Sequence, residues 1–307
     1  MMAVSHSRIA AVSGGPDSMA LLAVCADVFG PGNVDAVYLD HGLRSPDGVA
    51  QDIAVVRGYC EARNIGWTVR KLPIVAEAKR TKDGLEAAGR EWRYRMLAHL
   101  CKIRRYTTVL TAHHRSDSAE TVLLKVVRGS GQGLSGIRRT RVYNGVTILR
   151  PFLDVSKTEL HSYCDLQGIP YVIDESNYDV RFSRNRIRQR VIPELQEINP
   201  EVERELIRFA SRIEDMSDYI RSQLPLQWIS TEKNDHIVSD KMNGEHRTLQ
   251  HALLLEVMTR LSLIPSSARV NSLIQLLSEL PGKKIQLSKR WYVIRTTSGL
   301  RFTPVAW

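Results

Sequence analysis

Six residues near the start of the chain, Ser13-Gly14-Gly15-Pro16-Asp17-Ser18, combine two glycines with two hydroxyls and a carboxylate. They lie between a β-rich run, Ile9–Val12, and an apolar run, Met19-Ala20-Leu21-Leu22. Adjacent glycines let a backbone turn tightly and approach an anion unobstructed. A helix starting there adds free N–H groups and the positive end of its dipole. Ser13 and Ser18 supply hydroxyl donors. This combination suits phosphate or pyrophosphate. It is not the glycine-rich loop that ends in Lys-Ser or Lys-Thr, because no lysine follows the glycines. A plain strand–helix turn capped by Asp17 or Ser18 is the competing account; the six residues in strand-to-helix context favour the phosphate.

Other groups could act beside that loop. Asp40 ends a β-rich run, and Asp17 with Asp40 offers the hard oxygens that Mg²⁺ prefers, although either could cap a turn. His113 and His114 precede Asp117 and Glu120, a spacing that does not match a zinc pair. Asp117 and Glu120 share a helix face. They are either an N-cap with its capping-box partner or an anionic subsite for an amine. One histidine could contact phosphate or move a proton, and the other could be core. Glu86, Arg90 and Arg93 fall on the polar face of a helix, as a solvated ion pair or as ligands. Arg181, Arg184, Arg186, Arg188 and Arg190 would repel one another on a bare surface, so an anion is the expected partner.

These groups need a scaffold. Ile9–Val12, Asp35–Leu39, Thr68–Leu72 and Thr107–Thr111 read as strands, and Asp17–Phe29, Val49–Arg63 and Gly84–Lys102 as helices. In the last, Leu85, Ala88, Trp92, Met96 and Leu100 are expected to share the buried face. The alternation predicts an α/β fold, a Rossmann-like parallel sheet with helices on both faces, whose ligands bind beyond the carboxyl ends of the strands. The loops after Val12, Leu39 and Thr111 are therefore the places for chemistry. From about Ile192 the character changes. Residues 1–198 are expected to form the catalytic domain and 199–307 a small, mostly helical domain ending in a β-hairpin. Helices are expected at Glu201–Arg221, Thr248–Leu261 and Ala268–Leu280. Lys284–Thr303 alternates, with Ser298-Gly299 as the hairpin turn.

The net charge of +10 over 307 residues points to a polyanionic partner, nucleic acid before membrane. No run reaches the roughly 18 apolar residues of a membrane span, and Met1–Arg8 lacks the pattern of a secretory signal. Cys25, Cys60, Cys101 and Cys164 are widely spaced, as expected of buried reduced thiols in a cytoplasmic protein. The oligomeric state, a homodimer included, stays open.

The motifs narrow further as a series. Ser13–Ser18 resembles the signature of the ATP pyrophosphatases, also called PP-loop ATPases. Leu39-Asp40-His41-Gly42-Leu43-Arg44 resembles a segment of the tRNA(Ile)-lysidine synthetase family. So do Glu86 through Arg90 to Arg93-Tyr94, Ala112-His113-His114 through Asp117 to Glu120-Thr121, and Arg128-Gly129-Ser130-Gly131. Arg150-Pro151 through Lys157 and Glu159 to Tyr163 continues the series. Asp174-Glu175-Ser176-Asn177, Asp179, Arg184-Asn185-Arg186-Ile187-Arg188 and Pro193 complete it. Ser116 and Ser118 stand where the family pattern has aspartate and glutamine. The resemblance covers residues 8 to 195 closely. It implies that ATP, with Mg²⁺, adenylates the wobble cytidine of an isoleucine tRNA and that free L-lysine then displaces AMP. On that reading Ser13, Gly14, Gly15, Pro16, Asp17 and Ser18 hold the nucleotide, and Asp17, Asp40, His113, Asp117 and Glu120 serve catalysis. Glu86, Arg90, Arg93, Asp117, Glu120, Arg184, Arg186 and Arg188 bind substrate. A tRNA-thiolating relative and a non-catalytic ATP- or RNA-binding module are the alternatives.

Overall fold

The structure is a computed structural model. It describes residues 7–81, 85–129, 135–173, 183–232, 235–263 and 266–305. Its contacts divide into two units, Met1–Ile213 and Glu214–Trp307.

The first unit is built on six strands: β1 (Arg8–Val12), β2 (Val34–Asp40), β3 (Gly66–Lys71), β4 (Thr108–Leu110), β5 (Thr140–Tyr143) and β6 (Val146–Leu149). They are ordered β3-β2-β1-β4-β6-β5, all parallel except β5. Helices α1 (Pro16–Phe29), α2 (Pro46–Ala62), α3 (Ile74–Thr81), α4 (Leu85–Arg104), α5 (Arg115–Val127) and α6 (Lys157–Leu166) connect or follow the strands. Because successive strand residues point to opposite faces, neighbours in β1 enter different cores. Ala10 and Val12 pack with the apolar sides of α1, α2 and α6. Ile9 packs with α3 and α4. Met19, Leu21 and Leu22 of α1 are fully buried, each contributing about 1.5–3 kcal/mol by the usual area scaling.

The buried face of α4 is centred on Tyr94, Leu97 and Cys101, with Ala88, Ala98 and Leu100 beside it. This corrects the expected stripe: Leu85 is 47% exposed and Trp92 and Met96 are only half-buried, because the helix meets the sheet one row further round. The β5–β6 hairpin was not anticipated, although its signal is present. Asn144 and Gly145 both take positive φ, 49° and 79°, as a two-residue hairpin turn of Asn-Gly requires.

The first unit continues through α7 (Ser183–Arg186), a π-helical turn (Ile187–Val191), α8 (Ile192–Ile198) and the start of α9 (Val202–Ser222). The second unit holds the end of α9, α10 (Arg247–Arg260) and α11 (Ser267–Leu277). Its strands are β7 (Ile229–Glu232), β8 (Asp235–Ser239), β9 (Lys284–Gln286), β10 (Trp291–Thr296) and β11 (Gly299–Pro304). The expected terminal hairpin, β10–β11, lies within a five-stranded antiparallel sheet ordered β7-β8-β11-β10-β9. Its turn is Thr297-Ser298, one residue earlier than expected, because Gly299 pairs with Thr296. Gly299 is needed for close approach instead: a Cβ there would lie 1.9 Å from the Val238 carbonyl oxygen. Val293, Leu300 and Phe302 share one core with α10 and α11, and Trp291 packs against it. Lys284, Ile294 and Arg301 form a cross-strand row on the opposite face. Among the described residues no helix is long and apolar enough to cross a membrane.

Candidate functional site

Strand order reverses at β1: the chain runs outward to β2 and β3, then returns to place β4 on the other side. The crevice beyond β1 and β4 is where such sheets bind ligands, and two loops meet there.

The first is Ser13–Ser18. Gly14 has φ +78°. Ser18 Oγ accepts the Ser13 N–H at 3.0 Å and donates to the Gly15 carbonyl at 2.9 Å, which ties the turn internally. The N-cap of α1 is Gly15, with no side-chain cap, so neither Asp17 nor Ser18 caps the helix as the plainer account had it. Pro16 occupies the first helical position, where a missing N–H costs nothing. The Val172 N–H donates to the Gly14 carbonyl at 2.9 Å.

The second loop follows β4. His114 is the N-cap of α5, and Asp117, three residues on, accepts its backbone N–H at 3.0 Å. The expected cap at Asp117 is therefore displaced to His114, with Asp117 in the reciprocal position. His114 is 2% exposed. Its Nε2 stands between two carboxylates, 3.7 Å from Asp17 and 3.5 Å from Asp117. His113 Nδ1 lies 2.9 Å from the Thr111 hydroxyl.

Electrostatics distinguishes these groups. Burial raises the Asp17 carboxyl above the ordinary aspartate value, with His114 pulling the other way, and Asp17 Oδ1 is buried with no hydrogen-bond partner. At Asp117 burial also pushes upward, but His114 and Arg184 more than reverse it and the group sits low. His113 is driven down chiefly by burial and stays neutral. His161 of α6, which sequence reasoning did not single out, brings its Nε2 to 3.9 Å from Asp17 Oδ1; only its place inside the Lys157–Tyr163 motif marked it.

The arginine run and the carboxylate pair meet each other. Arg184 reaches Glu120 at 2.6 Å and Asp117 at 2.8 Å. Arg188 reaches Glu120 at 2.5 Å and Asp117 at 3.4 Å. Arg186 and Arg190 are exposed. The π-helical turn, a geometry common at functional sites, carries Arg188. Glu120 is fully buried, whereas the Asp117 side chain keeps 15% exposure.

Arg93 reaches His41 Nε2 at 3.4 Å, and Arg90 lies over the Tyr94 ring at 5.3 Å. Arg150 is 2% exposed. It donates to the Arg138 carbonyl at 2.6 Å and the Tyr94 hydroxyl at 3.1 Å. Ser118 is buried and accepts the Ile137 N–H at 3.0 Å, a packing role. Asp40 accepts the Gly42 N–H at 2.7 Å, a local turn bond. The Glu86 side chain, Ser130-Gly131, Asp174–Asn177, Asp179 and Arg181 lie outside the described residues. Beyond β2 a cavity of about 380 Å³ is lined by Asp40, Arg44, Val49, Ala50, Ile53 and Lys71, among others. Among the described residues no group of three or more His, Cys, Asp or Glu side chains is arranged to hold a metal.

A doubly wound sheet with a glycine-containing anion loop at its reversal point defines a nucleotide-handling class. The family described as "PP-loop domain" matches residues 2–195, and the chain belongs to it. Among named relatives it is 30% identical to the bifunctional protein TilS/HprT of Listeria innocua, over 96% of this chain and 47% of that one. It is 32% identical to the tRNA(Ile)-lysidine synthase of Bacillus subtilis, over 70% and 46%. With that of Methylobacterium nodulans the identity is 42%, over 61% and 53%. The chain thus spans about half the length of the curated relatives it matches. In fold it is similar to the U34-tRNA thiolase NcsA of Methanococcus maripaludis, with TM-score 0.55 and 15% identity over 67% of this chain and 71% of that one.

Two half-buried histidines predict a pH dependence. His41 is pulled from 6.5 to about 4, by burial first and then by Arg93, and His113 shifts the same way. A depressed histidine takes up protons more readily once unfolded, so its stabilising contribution is complete above 6.5 and is lost as pH falls from there toward about 4. The melting temperature should drop across that window, and less steeply in His41→Asn. Parallel profiles for the two proteins would refute the contribution of His41.

Proposed function

We propose that this chain catalyses ATP-dependent lysidine formation on the wobble cytidine of an isoleucine tRNA. The observation that carries the reading is the meeting of the phosphate loop and the His114–Glu120 segment across the strand reversal, at Asp17 and His114. The names of the relatives support it.

The pyrophosphate end of ATP takes the Ser13–Ser18 loop. There the first-turn N–H groups of α1 stabilise charge that grows as the α–β bond breaks. The nucleoside takes the cavity beyond β2, against the apolar side chains of Val49, Ala50 and Ile53. The cytidine C2 oxygen attacks the α-phosphorus, an O–P bond forms, and pyrophosphate leaves. The lysine ε-amine then attacks C2 and AMP departs with the oxygen. Free lysine is protonated below about 10.4, so the amine must shed a proton before attack. In this reading the edge of Asp117 binds the ammonium beside neutral His113, and the proton passes on to solvent. Mg²⁺ would be held by the partnerless Asp17 oxygen with Asp40 as a second hard ligand, and would offset phosphate charge. Of the side chains called substrate-binding, Arg93, Arg184 and Arg188 surround His113 and Asp117, where an anionic substrate group would lie.

A thiolating reaction would need a sulfur carrier or a reactive thiol of the chain's own. All four cysteines are buried; burial pushes Cys25, Cys60 and Cys101 up to about 12 and Cys164 to about 11, so they offer little thiolate. Mass spectrometry of an isoleucine tRNA incubated with protein, ATP and lysine tests the proposal. A mass gain of one lysine less water on the wobble cytidine is expected; an unmodified tRNA with no pyrophosphate released would reject it.

Residues after about 200 position the tRNA in this reading. Lys284 and Arg301 stand on the face of the second sheet away from its core, and exposed Lys283 follows α11. Lys283 and Arg301 lean on Glu279 and Asp235 at 2.7 and 3.8 Å, exposed contacts of small value. Neutralising Lys283, Lys284 and Arg301 together should weaken tRNA binding and flatten its salt dependence, since each lost phosphate contact reduces the slope by about one. A folded triple variant with unchanged slope would remove this face from the interface.

A further inference from the structure

Helix α2 passes directly behind the phosphate loop. A Cβ on Gly14 would lie 3.1 Å from both Cα and Cβ of Asp52. Asp52 is 1% exposed. It accepts the Tyr38 hydroxyl at 2.9 Å and forms an ion pair with Arg44. Tyr38 is the partner of Val12 in the β1–β2 register, so this carboxylate is tethered where β1 enters the loop. Its other oxygen, Oδ1, is buried without a hydrogen-bond partner. A buried negative charge against the back of a loop that faces phosphates opposes their binding, and in a low-dielectric setting the repulsion is poorly screened. Arg44 is the cation that meets it. Its guanidinium lies along the first turn of α2, near Gly48, and lines the cavity beyond β2.

We infer that Asp52 and Arg44 form one charge-compensated support for the phosphate loop, with Asp52 as a positioning residue and Arg44 as the group that cancels its charge. Asp52 supplies rigidity: its backbone packs on Gly14, and its carboxylate anchors Tyr38 and Arg44. Arg44 makes that rigidity compatible with an anion in front of the loop. The inference rests on reading Ser13–Ser18 as an anion loop, and deepens it by naming what keeps the loop neutral from behind.

The test is isothermal titration of the full chain with inorganic pyrophosphate and, separately, with ATP. In Arg44→Gln the charge of Asp52 is left uncompensated, and the affinity for both ligands should fall about tenfold or more. Arg44→Lys keeps the charge and should stay within about threefold of the parent. Arg44→Gln combined with Asp52→Asn removes both charges and should recover most of the loss, because coupled residues deviate strongly from additivity. If Arg44→Gln alone melts below the measuring temperature, the double variant still decides. Binding within about threefold supports compensation, and a folded double variant that stays about tenfold weak overturns it, since Arg44 would then touch the ligand directly. Unchanged affinity in a folded Arg44→Gln overturns it as well. A parent protein that binds pyrophosphate but never adenylates RNA would sink the proposed reaction and leave this inference standing.

Discussion

Gly14→Val is expected to abolish ATP-dependent pyrophosphate release while leaving the sheet intact. Gly14 sits at φ +78°, and the first atom of any side chain would meet Asp52 at 3.1 Å. A β-branched residue with positive φ costs about 1–3 kcal/mol, and its remaining methyl groups have α2 in their way. The loop must move, and a displacement of about 1 Å costs on the order of 10²-fold in rate. Asp17→Ala is expected to have as large an effect for a different reason. It removes the raised, partly orphaned carboxylate that faces His114 and His161, without disturbing a helix that it does not cap. Melting near the parent value for Asp17→Ala and a few degrees lower for Gly14→Val, with pyrophosphate release reduced by about 10² or more, would fit both roles. Parent-like release in either folded variant would remove the loop from the reaction.

Glu120→Gln should be the most destabilising single change in the site. The carboxylate is fully buried between Arg184 and Arg188, at 2.6 and 2.5 Å. Removing one member of a buried pair strands the others and typically costs about 3–5 kcal/mol. Asp117→Asn should behave differently. Asp117 keeps an exposed edge, bonds the start of α5 and shares Arg184 and Arg188 with Glu120, so its loss should cost less stability than that of Glu120 and show mainly as a raised KM for lysine. Spacing left the two carboxylates as either a cap pair or an amine subsite, and the family resemblance grouped them as the subsite. Arg184 and Arg188 meet both carboxylates, but Glu120 is fully buried while Asp117 keeps 15% exposure, so Asp117 is proposed as the one that a substrate amine reaches. Lysine titrations beside melting curves for both variants test this. A Glu120→Gln protein of parent stability with a selective lysine defect would reverse the assignment.

Most of the catalytic frame was legible along the chain because the information is local. Alternating β-rich and helical runs, two glycines after Val12 and the order of the motifs place the loops on the carboxyl edge of a sheet without any knowledge of packing. The β5–β6 hairpin was legible too, from Asn144-Gly145 and the alternation around it, although it was not read. The stripe on α4 was only roughly legible, since a helical period fixes a family of faces but not which one meets the sheet.

What the amino-acid order determined by itself is the inventory and its approximate address: an anion loop, two histidines, two carboxylates on one helix face and a run of arginines. Only the tertiary structure decided who meets whom. Arg184 and Arg188 lie more than sixty residues from Asp117 and Glu120, and nothing in the spacing says that the basic run finds its anions there. Asp52 and His161 were not singled out along the chain, yet one lies behind Gly14 and the other faces Asp17. Local sequence encodes φ, period and capping within a few residues. The pairing of charges across a sheet's reversal point is set by strand order and helix placement, and these exist only once the whole core has formed.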